Sequence, residues 1–168
     1  MVVQSLAISV INYCLPIYGS TNITQLHRVQ KLQNFAAKVC VGGAKKSDHA
    51  TPLISELQWL KVKDKFAFDT AVKVFKIKNG VFPDWLLNLP TISEAQHNLN
   101  TRQQHKLYIP HTNTDSGQRA FTVLGPKIWN SLPSDITNTH SLHTFMKKLK
   151  ALLIKIPASL LHEIPVNI

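Results

Sequence analysis

Acidic residues are scarce in this 168-residue chain: nine Asp and Glu stand against 19 Lys and Arg, a formal charge of +10 with histidine neutral. The acids occur singly. A polymerase centre needs paired carboxylates to hold its divalent ions, and no such pair is present. Asp64 and Asp69, set among lysines, read as surface charge pairing. Cysteine is rarer still. Cys14 and Cys40 make neither a disulfide framework nor a thiolate-rich metal site, and they point to a reducing compartment. No basic stretch precedes the apolar N-terminus, and polar residues interrupt it, which argues against a signal peptide or a membrane span. The sequon Asn22-Ile23-Thr24 has no secretory context around it. An intracellular protein, nuclear or cytoplasmic, is expected.

A Gly-rich phosphate loop is missing too. Gly42 to Ser47 lacks the spacing of one and follows no strand. His140 with His143, and His105 with His111, do not complete a metal site. No nucleophile elbow marks a catalytic triad. The expectation is therefore no catalytic residue, no metal ligand set and no cofactor. Arginine is limited to Arg28, Arg102 and Arg119. Lysines suit non-directional attraction to phosphate, whereas reading base edges favours arginine forks.

What is present is enough for a packed domain. Hydrophobic residues make up 44% of the chain, with six Gly and nine Pro. All the bases but Lys155 are spread from Arg28 to Lys150. Such a diffuse positive field favours polyanions such as nucleic acid, although solubility alone also accounts for it.

The periodicity predicts an all-α fold, an irregular bundle of about five to seven helices with one long polar connection. Residues 1–12 read as the last turns of a helix cut open at Met1. Pro16 and Gly19 break it, and Ser20, Thr21 and Asn22 offer caps for a helix over 24–41. One apolar stripe there holds Leu26, Val29, Leu32, Ala36, Val39 and Cys40. Thr51-Pro52 reads as the start of a short helix. A long helix over 62–79 has two apolar faces and should be central, with Gly80 closing it. Pro83 opens a short helix, Asp84-Trp85-Leu86-Leu87. Residues 90–118 are polar and partly ordered. Phe121, Leu124, Ile128 and Trp129 share helical spacing, with Pro126 breaking or restarting the run. Ser141 caps a helix over 142–156 that should pack over the central one. The organisation expected is 1–45, 46–90, a connection over 91–118, C-terminal helices over 119–156 and a loose tail over 157–168.

The remaining signal is basic residues interleaved with aromatics. Arg102, Lys106 and Tyr108 lie in the polar connection, with Arg119 and Phe121 just after it. Exposed aromatics beside bases can stack on unpaired bases; Tyr108 and Phe121 can equally anchor the connection to the core. Lys61, Lys63, Lys65, Lys73, Lys76 and Lys78 either line a groove for a phosphate backbone or form a solvated helix face. Arg28 and Lys31 add charge on the 24–41 helix. Trp59, Trp85 and Trp129 read as core pins.

Several phrases resemble a known family. They are Asn12-Tyr13-Cys14 with Tyr18-Gly19, the run Leu32-Gln33-Asn34-Phe35-Ala36-Ala37-Lys38, the run Pro52 to Leu60, and Val74-Phe75-Lys76 with Asn79-Gly80 and Pro83-Asp84-Trp85-Leu86. Gly117 to Phe121, Gly125 to Pro133 and Ser141 to Lys150 follow. Their order is similar to the C-terminal part of non-LTR retrotransposon reverse transcriptases of the Jockey and CR1 type, over about residues 6–154. Trp129-Asn130-Ser131-Leu132-Pro133 is the most diagnostic phrase. The resemblance implies thumb-side helices over 1–45 and a helical tail beyond. It implies a non-catalytic fragment of an RNA-directed DNA polymerase that grips template RNA or an RNA–DNA duplex and packs on the polymerase body. Mg²⁺ would belong to the palm, whose aspartate motif lies upstream of anything matching here. A free-standing helical protein-interaction module, without membrane attachment, is the alternative reading.

Overall fold

A computed structural model describes residues 4–42, 45, 47–82, 88–95 and 105–155. The short helix expected after Pro83 and the tail over 157–168 lie outside them. The described residues form an all-α fold. A π-helical turn, Gln4–Ile8, runs into α1 (Ser9–Asn12) and α2 (Leu15–Tyr18). Then come α3 (Ile23–Val41), α4 (Ala50–Glu56), α5 (Val62–Lys78), α6 (Ile92–Ala95), α7 (Asp115–Gln118), α8 (Phe121–Asn130), α9 (Ser134–Thr137) and α10 (Leu142–Lys155). The number of segments exceeds the five to seven expected because α1, α2, α6, α7 and α9 are single turns of four residues.

The central position of α5 is observed. Val62, Phe66, Ala67, Phe68, Ala71, Val74 and Phe75 are all buried, and α2, α3, α8 and α10 pack around it. Gly80 ends it at φ +68°. The amide of Val81 reaches the carbonyl of Lys76 and that of Gly80 reaches Ile77, the Schellman arrangement that frees the last carbonyls from solvent. Helix α10 lies against α5, burying Phe145, Leu149 and Leu153. Phe75, Trp129 and Phe145 form one aromatic cluster: Phe145 stacks on Phe75 at 4.5 Å and on Trp129 at 5.7 Å between centroids. Each such pair adds about 0.5–1.5 kcal/mol beyond the area it buries.

Four expectations need correcting. First, α4 starts at Ala50 with His49 as its cap, so Pro52 falls at the third helical position. Its missing N–H costs nothing there, because the first four amides of a helix have no partner within it. Second, α8 runs straight through Pro126. Pro126 is buried together with Val123, Leu124, Ile128 and Trp129, and that burial outweighs one lost backbone bond. Gly125 lets α8 approach α5, since a Cβ there would stand 3.2 Å from Val74.

Third, the buried stripe of α3 matches the one expected only in part: Leu26 and Ala36 are buried and Val29 packs against the core, but Leu32 and Val39 are exposed. Leu26, Gln33, Ala36 and Ala37 face inward, while Leu32 and Phe35 are 62% and 68% exposed. Gln33 wins its inward place through hydrogen bonds. Its Nε2 donates to the Leu60 carbonyl at 2.8 Å, and its Oε1 accepts from Gln30 at 2.8 Å. Gln30 in turn accepts the amide of Val62 at 2.9 Å. This polar bracket joins α3 to the start of α5. Fourth, Asp64 is not at the surface: it is 3% exposed. Asp69 does pair, with Lys65 at 2.5 Å.

The polar connection is more anchored than its composition implies. Thr91 and Leu107 form an isolated antiparallel bridge, with Ile92 N–H on the Lys106 carbonyl and Tyr108 N–H on the Pro90 carbonyl, both 2.9 Å. Leu107 is 1% exposed. Asn130 then satisfies both backbone groups of Leu107, accepting its N–H at 3.0 Å and donating to its carbonyl at 2.8 Å. The side-chain amide acts as a strand edge of one residue.

Candidate nucleic-acid interface

The sequence-predicted bases fall into distinct places. A cleft of about 710 Å³ lies between α2, the C-terminal half of α5 and the α7–α8 junction. Lys73 and Arg119 both line it, with Tyr18, Phe82 and Phe121. Each wall has a local cause. Gly19 follows α2 and is buried, and a Cβ at that position would run into the Phe66 ring; only glycine lets α2 come so close to α5. The Tyr18 hydroxyl donates to the Ile11 carbonyl, which fixes the ring. Burial, and then the neighbouring Cys14, push the Tyr18 pKa above its ordinary value, so the phenol stays neutral. On the opposite wall Thr114 caps α7, accepting the Gly117 amide at 3.1 Å. The Arg119 Nε donates to the Asp115 carbonyl at 3.2 Å, which sets the direction of the guanidinium. Phe121 is half-buried and packs against the core, so it is both an anchor and part of the wall.

The second cleft, about 440 Å³, lies between the α4–α5 junction and α10. Lys61, Lys147 and Lys150 line it with Trp59 and Asp64. Helix α4 ends in a Schellman arrangement, Trp59 N–H to Ile54 carbonyl and Gln58 N–H to Ser55 carbonyl, both 3.0 Å. Gln58 therefore takes a left-handed φ of +52°, where glycine is the usual residue. That turn delivers Trp59 half-buried to the cleft wall. Burial pushes the Asp64 carboxyl up to about 6, with Lys61 and Lys63 pulling the other way.

The other predicted residues do not join either cleft. Lys65 is engaged by Asp69 and lies 5.1 Å from the Phe68 ring centroid. Lys78 sits over Trp129 at 5.2 Å. Lys63 is exposed and Lys76 half-buried on α5. Arg28 and Lys31 are exposed on α3, beside the outward strip of Leu32, Phe35 and Val39. Lys106 is exposed next to the β-bridge, and Tyr108 is half-buried. Arg102 lies outside the described residues. Lys61, which caps the start of α5, and Lys73, in its C-terminal half, thus serve separate clefts.

Sequence reasoning missed Tyr18, Phe82, Lys147 and Lys150 as lining residues. A signal existed for the last two: positions three apart on a helix share a face. Nothing local announces that Tyr18 and Lys73 line one cleft. Among the described residues no three His, Cys, Asp or Glu are grouped to hold a metal ion. No described helix is long and apolar enough to cross a membrane. No protein-family model, curated protein or solved structure matches the chain.

Proposed function

We propose that this chain is the C-terminal, non-catalytic part of a reverse transcriptase of the non-LTR retrotransposon kind, supporting template RNA or an RNA–DNA duplex beside a polymerase body. The observation that carries the reading is the pairing of Lys73 with Arg119 in one cleft walled by Tyr18, Phe82 and Phe121. A cation pair beside aromatic walls suits a strand whose phosphates are held while its unstacked bases meet π-faces. The order of family-like phrases supports the same assignment, and two of them now have physical content. Gln33 brackets α3 to α5, and Asn130 clamps Leu107. The scattered acids leave polymerisation to the palm of the parent protein, where Mg²⁺ would also be held.

Titration of the purified chain with a labelled single-stranded RNA and an RNA–DNA hybrid tests this. Affinity should fall at least about tenfold between roughly 50 and 200 mM salt, as counterion release requires. Lys73→Ala with Arg119→Ala should weaken binding several-fold and flatten the salt slope by about one to two. Binding that is absent at low salt, or indifferent to salt, would overturn the proposal.

A second reading, a helical protein-interaction module, is favoured by one observation. Leu32, Phe35 and Val39 form an outward apolar strip on α3. In the first reading that strip is the seat of the polymerase body.

A further inference from the structure

Helix α3 presents an apolar strip that the other described residues leave uncovered. Leu32, Phe35 and Val39 are exposed at spacings of three and four, so they share one ridge. The ridge runs for about two turns, roughly 10 Å. The π-helical turn packs on α3 and carries Leu6, with Val10 following in α1, both exposed. The opposite side of α3 is closed, with Leu26, Gln33, Ala36 and Ala37 buried. Exposed apolar rows on two packed elements suit the ridge of a partner helix. Four of these five side chains are aliphatic and offer no π-face to a nucleobase.

The charge along this face has one sign. The first 47 residues contain no Asp or Glu. Arg28 stands one turn before Leu32, and Lys31 one turn before Phe35; both are exposed. Arg28 donates to the neutral Gln25 side chain at 3.4 Å, and among the described residues neither base forms an ion pair. A second copy of the chain would set these bases against each other, so self-association through the strip stays weak. We propose that this face docks an amphipathic partner helix whose apolar ridge seats on Leu32, Phe35 and Val39 and whose flanking Glu or Asp side chains meet Arg28 and Lys31. Both functional readings place a protein on this strip, the premise on which this docking rests; what is added is the sign of the partner's charge. Apolar contact supplies affinity, and the charges select the partner.

The test titrates the purified chain with two labelled helical peptides of about 18 residues, read by fluorescence anisotropy. Both carry Leu at every third or fourth position; one has Glu at the flanking positions and the other Lys. The Glu peptide should bind at least about tenfold tighter at roughly 50 mM salt, and the gap should narrow as salt is added. Leu32→Ser with Phe35→Ser should weaken the Glu peptide at least about tenfold. Arg28→Glu with Lys31→Glu should abolish the advantage of the Glu peptide. Lys147→Glu with Lys150→Glu, an equal change of net charge on α10, should preserve it. Both α3 variants should keep the wild-type urea midpoint, since all four side chains are exposed. Equal binding of the two peptides, or a charge-reversed α3 variant that keeps the preference, overturns the acidic partner and leaves protein docking standing. Failure of both peptides to bind overturns protein docking at the strip as well. Phosphatidylserine-containing vesicles that bind through Leu32 and Phe35 in place of the peptide, or a salt-stable dimer through them, also overturn the acidic helix as occupant.

Discussion

Asp64 carries the clearest pH signature among the described residues. Its ordinary value is 3.8, and burial lifts it to about 6 in the folded protein. Between those values the folded state holds the proton more tightly than the unfolded chain does. Stability from this group is therefore full below pH 4 and is lost as pH rises through 6, by about 2–3 kcal/mol in all. Asp64→Asn should raise the urea midpoint at pH 7.5 and leave it nearly unchanged at pH 4. Equal shifts at both pH values would mean that ionisation of this carboxyl has no part in stability. The sequence placed Asp64 at the surface because lysines flank it. Its burial depends on α10 returning to the start of α5, and no local pattern encodes that return. Gln33 was hidden in the same way, since an amide at the centre of a buried stripe is tolerated only when distant partners such as Leu60 are known.

At the level of elements, helix periods were legible and their neighbours were not. Helix α10 and the central α5 stand close to the expected bounds, because their apolar residues repeat at 3.6 and Gly80 marks an end. Helix α8 was read as interrupted because Pro126 is usually a breaker, whereas its apolar face is buried on both sides of the proline. The bridge of Thr91 with Leu107 was the least legible feature. It depends on Asn130, whose side chain supplies the backbone partner that a second strand would normally supply. Asn130→Ala leaves the Leu107 N–H and carbonyl buried without partners. Each unmade bond costs about 1–3 kcal/mol, so the variant should lose about 3 kcal/mol in urea unfolding. Asn130→Asp should lose a similar amount, because a carboxylate accepts the N–H but repels the carbonyl. An Asn130→Ala change below about 0.5 kcal/mol would show that water replaces the clamp.

On the scale of the whole molecule, the two sides of α3 differ in what surrounds them. One side is knitted to α4 and α5. The other shows Leu32, Phe35 and Val39 to solvent, with Leu6, Val10 and Tyr13 exposed on the preceding turns. Apolar exposure on this scale marks an interaction surface or an aggregation liability. Leu32→Ser with Phe35→Ser should leave the urea midpoint within about 0.5 kcal/mol, as surface changes do, and should reduce self-association in sedimentation velocity. If the double variant binds RNA as the wild type does, the apolar strip and the basic clefts have separate duties. A loss of more than about 2 kcal/mol would show that the strip belongs to the core.

The rings of Phe75, Trp129 and Phe145 come from α5, α8 and α10. One therefore belongs to the first half of the chain and two to the second. A single break in the backbone between Ala95 and His105 would divide the protein into pieces that each carry an unfinished core. Neither piece could cover its aromatic rings without the other. The two parts of the chain thus complete one core between them, and a cut there would turn a folding equilibrium into a concentration-dependent assembly.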